Sequence, residues 1–427
     1  MSARILLALL LLLSGGCASA SLPDPSAAEP AAVERIKMGV SALRGLEFKS
    51  DVPVEVKSRA EMLGAFEDDI ADEYGEEGLA QKALAYGKLG LIPEKVDLKK
   101  ALLEFYGAEV VAFYDPRTKK LVMPDRAAGA GEDMPLVLAH ELTHALQDQH
   151  FPVLEKLIHA SDDDGDLALR AVVEGDATLA GYSYAGAGRR ALFELARKFE
   201  EEMRQSMPSF GGVPEALVEE MLFPYYGGAA LVARALEERG WAGVDAIYAA
   251  PPLSTEQVLH PEKYFTAPDP PSDVVLGGLA AAFPDDWKEL ENNVLGELMT
   301  RVLFERFLPK EDARIAAEGW DGDRFIAYAR GDSVAFVWAS VWDSERDAEE
   351  FLGGYRRLLA KKYPSAAARQ AYAERRGLKV LIAEGLEGER AGASIESLWQ
   401  SIDTKKQPFT PPFPPSPTAP AAEPVSP

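Results

Sequence analysis

Apolar and polar positions follow several different rhythms along this chain, and each predicts a different element. Ile5 to Leu13 is an unbroken apolar run behind the cation Arg4. Nine residues are too few for a bilayer-spanning helix, which needs about twenty. With Ala18-Ser19-Ala20 as a cleavage site, they predict an export leader over residues 1–20. "SLPDPSAAEPAA" (21–32) is a Pro/Ala spacer. Over 33–104 apolar residues recur at three- and four-residue spacing, as in "RAEMLGAFEDDIADEYG", predicting a helical lead-in. The period then shortens: two β-rich runs around Asp115-Pro116-Arg117-Thr118 predict a hairpin from Val110 to Met123.

The helical period returns at Pro135, where a proline in the first turn, with Asp133 before it, suits a helix start. "LALRAVVEGDATLAGYSY" predicts a second helix of small residues, apolar enough for the core. "LFPYYGGAALVARALEERGW" predicts a Pro-Tyr-Tyr-Gly-Gly turn opening another helix, and "PPLSTEQVLHPEKYF" a polar, aromatic connection. From 271 to 400 the strand patterns "RFIAYAR" and "SVAFVWASVW" flank Gly331-Asp332. The amphipathic helix "ERDAEEFLGGYRRLLAKKY" opens at Ser344, and an apolar run spans Val380 to Ile382. This pattern predicts a small accessory α+β domain without histidine. Arg330-Gly331-Asp332 falls where the hairpin turns. The Pro-rich residues 407–427 predict a disordered or polyproline tail. The fold class expected is α+β and mostly helical, with its chemistry in residues 105–265.

Composition narrows the function. A formal charge of −24 and a pI near 4.7 argue against a nucleic-acid partner, since phosphate binding needs excess Lys and Arg on some face. The single cysteine, Cys17, leaves no disulfide within the chain, so stability comes from packing.

Three of the five histidines lie in "AHELTHALQDQH". His140 and His144 are four residues apart, so on a helix both imidazoles project from one face toward a single ion, with Glu141 the next residue round. This HExxH pattern is a zinc-peptidase motif, with paired histidine ligands and a glutamate base. Catalytic zinc takes three protein ligands and keeps a position for water. In the second helix Glu174 and Asp176 occupy a face where a carboxylate is costly without a partner, and a divalent cation is the obvious one. His150, ten residues from His140, is a poorer ligand. His159 and the acidic run Asp162 to Asp164 are expected at the surface, the latter as a solvated loop without calcium-loop spacing.

A His-Glu-x-x-His helix followed by a helix bearing a glutamate resembles the gluzincin clan of zinc metallopeptidases, whose thermolysin-like site uses two histidines and one glutamate. The resemblance covers residues 105–265 in outline and implies a zincin-like core holding one Zn²⁺ per chain. His140, His144 and Glu174 would be its ligands, and Glu141 the base that takes a proton from zinc-activated water. Many thermolysin-like members carry Asp four residues after the ligand glutamate, where this chain has Thr178. Asp148 and Asp176 are therefore the candidates for orienting an imidazole. The clan also implies an edge strand pairing with extended substrate, here Val110 to Tyr114. Tyr225, Tyr226 and His260 are the groups suited to an oxyanion; Tyr225 and His260 are the principal candidates.

The reading is thus a zinc peptidase of the cell envelope or exterior, with a peptide or protein substrate. "LLSGGC" resembles the lipobox of bacterial lipoproteins, with Ser14 where such boxes carry Leu. Lipidation of Cys17, the possible membrane anchor, and cleavage after Ala20 both remain open. Two other functions fit the same residues. One is a catalytically idle zinc-binding envelope scaffold, against which Glu141 weighs because a structural site needs no base. The other is a zinc hydrolase acting on a non-peptide substrate.

Overall fold

The computed structural model describes residues 8–10, 30–75, 77–125, 134–152, 162–206, 212–363, 371–386 and 391–413. Cys17, Ala20, Asp133 and His159 lie outside the described residues, as do most of the predicted leader and spacer. The architecture is α+β, with helices outweighing several sheets.

Four strands form the first sheet: β1 (Ala8–Leu10), β2 (Val54–Lys57), β3 (Val110–Asp115) and β4 (Lys120–Pro124), in the order β1-β3-β4-β2. The predicted hairpin is β3–β4. Its turn closes because the Asp115 carboxylate accepts from the Arg117 N–H and the Thr118 hydroxyl, each at 2.9 Å, while Lys119 takes a positive φ. The lead-in is not purely helical: β2 interrupts it and pairs parallel with β4. Four residues are too few for a two-residue period to stand out among helical spacings.

Three helices carry the centre of the molecule. The histidine helix is Met134–His150, the glutamate helix Asp163–Tyr184 and the tyrosine helix Glu215–Arg239. The expected turn at Pro-Tyr-Tyr-Gly-Gly does not form; Pro224 and both glycines lie inside one 25-residue helix. Those glycines serve the packing. A Cβ on Gly228 would stand 1.9 Å from the Ala171 carbonyl oxygen, and one on Gly175 would stand 2.2 Å from the Gly228 carbonyl carbon. The glutamate and tyrosine helices therefore touch backbone to backbone beside Glu174, which draws Tyr225 toward it. Gly228→Ala is expected to cost about 1–3 kcal/mol or more by forcing these helices apart. Gly64→Ala, in an open helical position, should instead be neutral or stabilising by about 0.5–1 kcal/mol. Thermal melting of both variants checks this, and an unchanged Gly228→Ala would contradict the close approach.

The acidic run is not a solvated loop. Asp162 caps the glutamate helix by accepting from the Gly165 N–H at 2.9 Å. Asp163 pairs with Lys82 and accepts from the Tyr86 hydroxyl, and Asp164 is buried against Thr255. A helix N-terminus with unsatisfied N–H groups attracts such carboxylates.

One apolar core runs from Val33 and Phe66 of the lead-in through Leu138 and Val172 to Phe325 and Trp338. The latter two belong to a five-stranded antiparallel sheet ordered β6-β7-β8-β10-β9. Its strands are β6 (Lys288–Asn293), β7 (Trp320–Arg330), β8 (Ser333–Trp342), β9 (Tyr372–Arg376) and β10 (Lys379–Glu384), the last containing the predicted apolar run. The β7–β8 hairpin turns at Gly331, as expected. Ser344 caps the Glu345–Lys362 helix. Beyond it, β11 (Ile402–Lys406) pairs with β5 (Ser272–Leu276), and Phe409 and Phe413 pack on Tyr264 and Phe265. Packing thus continues past 407, the predicted start of the disordered tail, because aromatic residues among the prolines find buried partners. Residues 414–427 lie outside the described residues.

Candidate metal centre

Four-residue spacing on one helix brings His140 and His144 together, with their Nε2 atoms 3.0 Å apart. Glu174 arrives from the glutamate helix, its Oε2 3.2 Å from His140 Nε2 and 3.6 Å from His144 Nε2. All three side chains are fully buried. Ligand atoms about 2.0–2.1 Å from a tetrahedral zinc stand about 3.3–3.4 Å from one another, and the triangle of 3.0, 3.2 and 3.6 Å has that size.

Hydrogen bonding behind the triangle sets its chemistry. His144 Nδ1 lies 2.8 Å from Gln147 Oε1, which can only accept, so Nδ1 carries the hydrogen and a neutral His144 presents its Nε2 lone pair inward. Gln147 is fixed in that sense because its Nε2 donates to the Val173 carbonyl at 3.0 Å and to Asp176 Oδ2 at 3.1 Å. Asp176 in turn accepts from the Tyr248 hydroxyl at 2.7 Å and pairs with the buried Arg44, whose other partner is Asp245. Lone pairs crowded without water repel unless a cation or proton lies between them. Burial disfavours charge on His144, yet Glu174 and Glu141 outweigh it and raise its pKa. Burial lowers that of His140 despite its Glu174 hydrogen bond. Burial likewise disfavours ionised Glu174, but the imidazoles hold its pKa below the usual range.

Glu141 adjoins the triangle, with a carboxylate oxygen within 4.8 Å of a ring nitrogen of each histidine. Its Oε2 accepts from the Tyr114 backbone N–H of β3 at 2.9 Å. Tyr225 comes in on the tyrosine helix; its ring stacks 6.1 Å from that of His140, and its hydroxyl hydrogen-bonds Glu174. Burial, followed by the charges of Glu174 and Glu141, pushes its pKa well up, so it remains a donor at neutral pH.

Other predicted residues lie elsewhere. His260 sits between two five-residue helices, with its Nε2 2.9 Å from Glu297 and its Nδ1 3.8 Å from Glu262, so its contacts run to the Glu297 helix and to the adjoining Pro261–Phe265 helix rather than to the triangle. Tyr226 donates to Glu219. Among the described residues Asp148 orients no imidazole: it accepts from the Tyr114 hydroxyl at 2.7 Å and from Lys119 at 2.6 Å, tying the hairpin to the histidine helix. Asp176 reaches His144 through Gln147. His150 bonds the Glu47 carbonyl. Thr178 Oγ1 and His140 Nδ1 are both buried without a hydrogen-bond partner among the described residues, so the missing Asp after Glu174 has no protein substitute there. Gln147 was legible as the residue one helical turn past His144; Arg44, 132 residues from Asp176, was not.

The His260 pair makes stability depend on pH. Burial lowers its pKa, but the Glu297 hydrogen bond and charge outweigh that and raise it above the ordinary 6.5. The resulting stabilisation is complete below about pH 6.5 and is lost as pH rises through the raised folded-state value. His260→Gln, which keeps a hydrogen bond but cannot titrate, should melt below the wild type in mild acid, with the gap closing in alkali. A pH-independent gap would refute the linkage.

Among known proteins, residues 285–394 match a family model described as a domain of unknown function, DUF8575. No curated protein matches the sequence. A crystal structure from Chloroflexus aurantiacus, provisionally designated a hydrolase with a novel fold, is similar at a TM-score of 0.34 and 17% identity. The match covers 56% of this chain and 90% of that one.

Proposed function

We propose that this chain is a zinc-dependent peptidase of gluzincin type, exported to the cell envelope or exterior. The carrying observation is the convergence of His140 Nε2, His144 Nε2 and Glu174 Oε2 at zinc-ligand spacing beside Glu141. A purely structural site gives no reason for that fourth group, a buried carboxylate braced by a strand N–H. His140, His144 and Glu174 would hold the metal, which when bound supplies Lewis acidity to a water and to the scissile carbonyl.

Glu141 takes the proton of the attacking water and returns it to the departing amine. The Tyr114 N–H and the rigid histidine helix hold the carboxylate in place for both transfers. Tyr225 keeps its proton through the neutral range and donates to the developing oxyanion. Gln147 holds His144 in the tautomer that presents Nε2, and Asp176, itself paired with Arg44, anchors Gln147.

No helix among the described residues is long and apolar enough to cross a membrane. Export is supported by Arg4, the apolar run from Ile5 to Leu13 and Ala18-Ser19-Ala20. The deciding experiment is metal analysis of the purified chain with a peptide-library digest. About one zinc per chain with cleavage stopped by a chelator and restored by zinc is expected. Zinc without cleavage of any peptide would favour the idle scaffold or a non-peptide substrate, and no zinc would end the proposal.

A further inference from the structure

Both sides of β3 are occupied in this structure. One side pairs with β4, and the other pairs antiparallel with β1 from the predicted leader, Ala8 opposite Phe113 and Leu10 opposite Val110, with a register shift between. β1 also packs against the histidine helix and the Leu98–Glu109 helix. Its Ala8 end lies one residue from Tyr114, whose N–H holds Glu141. The Ala8–Leu10 backbone thus pairs next to the strand residue that holds the candidate base. Removing the leader would leave β3 as the sheet's edge, exposing backbone donors and acceptors that invite another strand.

We propose that this edge of β3 is a docking strand whose intramolecular occupant is the leader segment around Ala8–Leu10, so that the chain is closed at Glu141 until the leader is removed. The closure rests on the peptidase reading; the docking does not. Strand addition draws its binding from main-chain hydrogen bonds, which are indifferent to side-chain identity, so an apolar run with no turn residues is a suitable occupant. Tethering favours it further. β1 and the Pro30–Arg44 helix belong to one chain, so the segment is covalently tethered to the sheet that it pairs with and need not be captured from solution. All four proposed site residues, His140, Glu141, His144 and Glu174, are fully buried in this structure.

The test uses the full-length chain from cell-free synthesis with Cys17→Ser, which leaves no other cysteine. Leu10→Cys and Val110→Cys together place two thiols at directly opposed positions, within disulfide reach for antiparallel partners. Mild oxidation should form an intramolecular disulfide, seen as a gel shift that reductant reverses. Leu10→Cys with Val275→Cys, on an exposed position of another sheet, should not form one. Cross-linking no greater than in this control overturns the docking. In the cross-linked form, hydrolysis of the best library peptide should fall to background and return on reduction. Equal hydrolysis in both states overturns the closure. Absence of hydrolysis in every form, including the chain shortened to Ser21, would count against the peptidase reading, while the cross-link would still decide the docking.

Discussion

Glu141→Gln is expected to lower peptide hydrolysis by about 10²–10⁴, toward the upper end because in the proposed mechanism one carboxylate serves as base and then as acid. The exchange is nearly isosteric. A glutamine oxygen can still accept from the Tyr114 N–H, so β3 stays seated against the histidine helix. The three proposed ligands are untouched, so zinc content and melting temperature should match the wild type. Hydrolysis rates, metal analysis and thermal melting on one preparation separate the effects. Full activity at equal zinc would refute Glu141 as the base; loss of zinc or fold along with activity would mean that Glu141 serves the structure. Tyr225→Phe should cost about 10²–10³ if its hydroxyl supports the oxyanion. An unchanged rate would leave that tyrosine as packing for His140.

Glu174→Ala is expected to abolish stoichiometric zinc. Two imidazoles leave a catalytic site one ligand short of the usual three, and the carboxylate would also supply negative charge to offset a dication in a fully buried site. Removing it should not unfold the chain, because its hydrogen bonds run to the other proposed ligands and to Tyr225. Gln147→Leu provides a graded comparison. It leaves all three ligands but removes the acceptor for His144 Nδ1 together with the donors to the Val173 carbonyl and Asp176, so zinc affinity should fall about 10–100-fold. Chelator competition on the three proteins should rank them wild type, Gln147→Leu, Glu174→Ala. Undiminished zinc in Glu174→Ala would mean that another carboxylate closes the site. Asp176 is a poor replacement, since it is already engaged by Arg44, Gln147 and Tyr248.

What the sequence determined by itself is what depends on short separations. The spacing of His140 and His144 put two imidazoles on one helical face with Glu141 beside them, and the β-rich runs around Asp115-Pro116 located the hairpin. Helical period and turn chemistry are set by neighbouring residues, so both survive without knowledge of the rest of the chain. Hydrophobic pattern could likewise say that Glu174 lies on a buried face, though not against what. The tertiary structure decided the rest. It brought Glu174 to His140 across 34 residues and joined Arg44 to Asp176 across 132. It set Tyr225 beside Glu174 through contact at Gly175 and Gly228. It sent His260, equally suited by chemistry, to Glu297, and placed β1 on β3. The physical reason is that a side chain's type states which partner it needs, while the closest approach of two elements, here as tight as two glycines allow, selects which partner it meets.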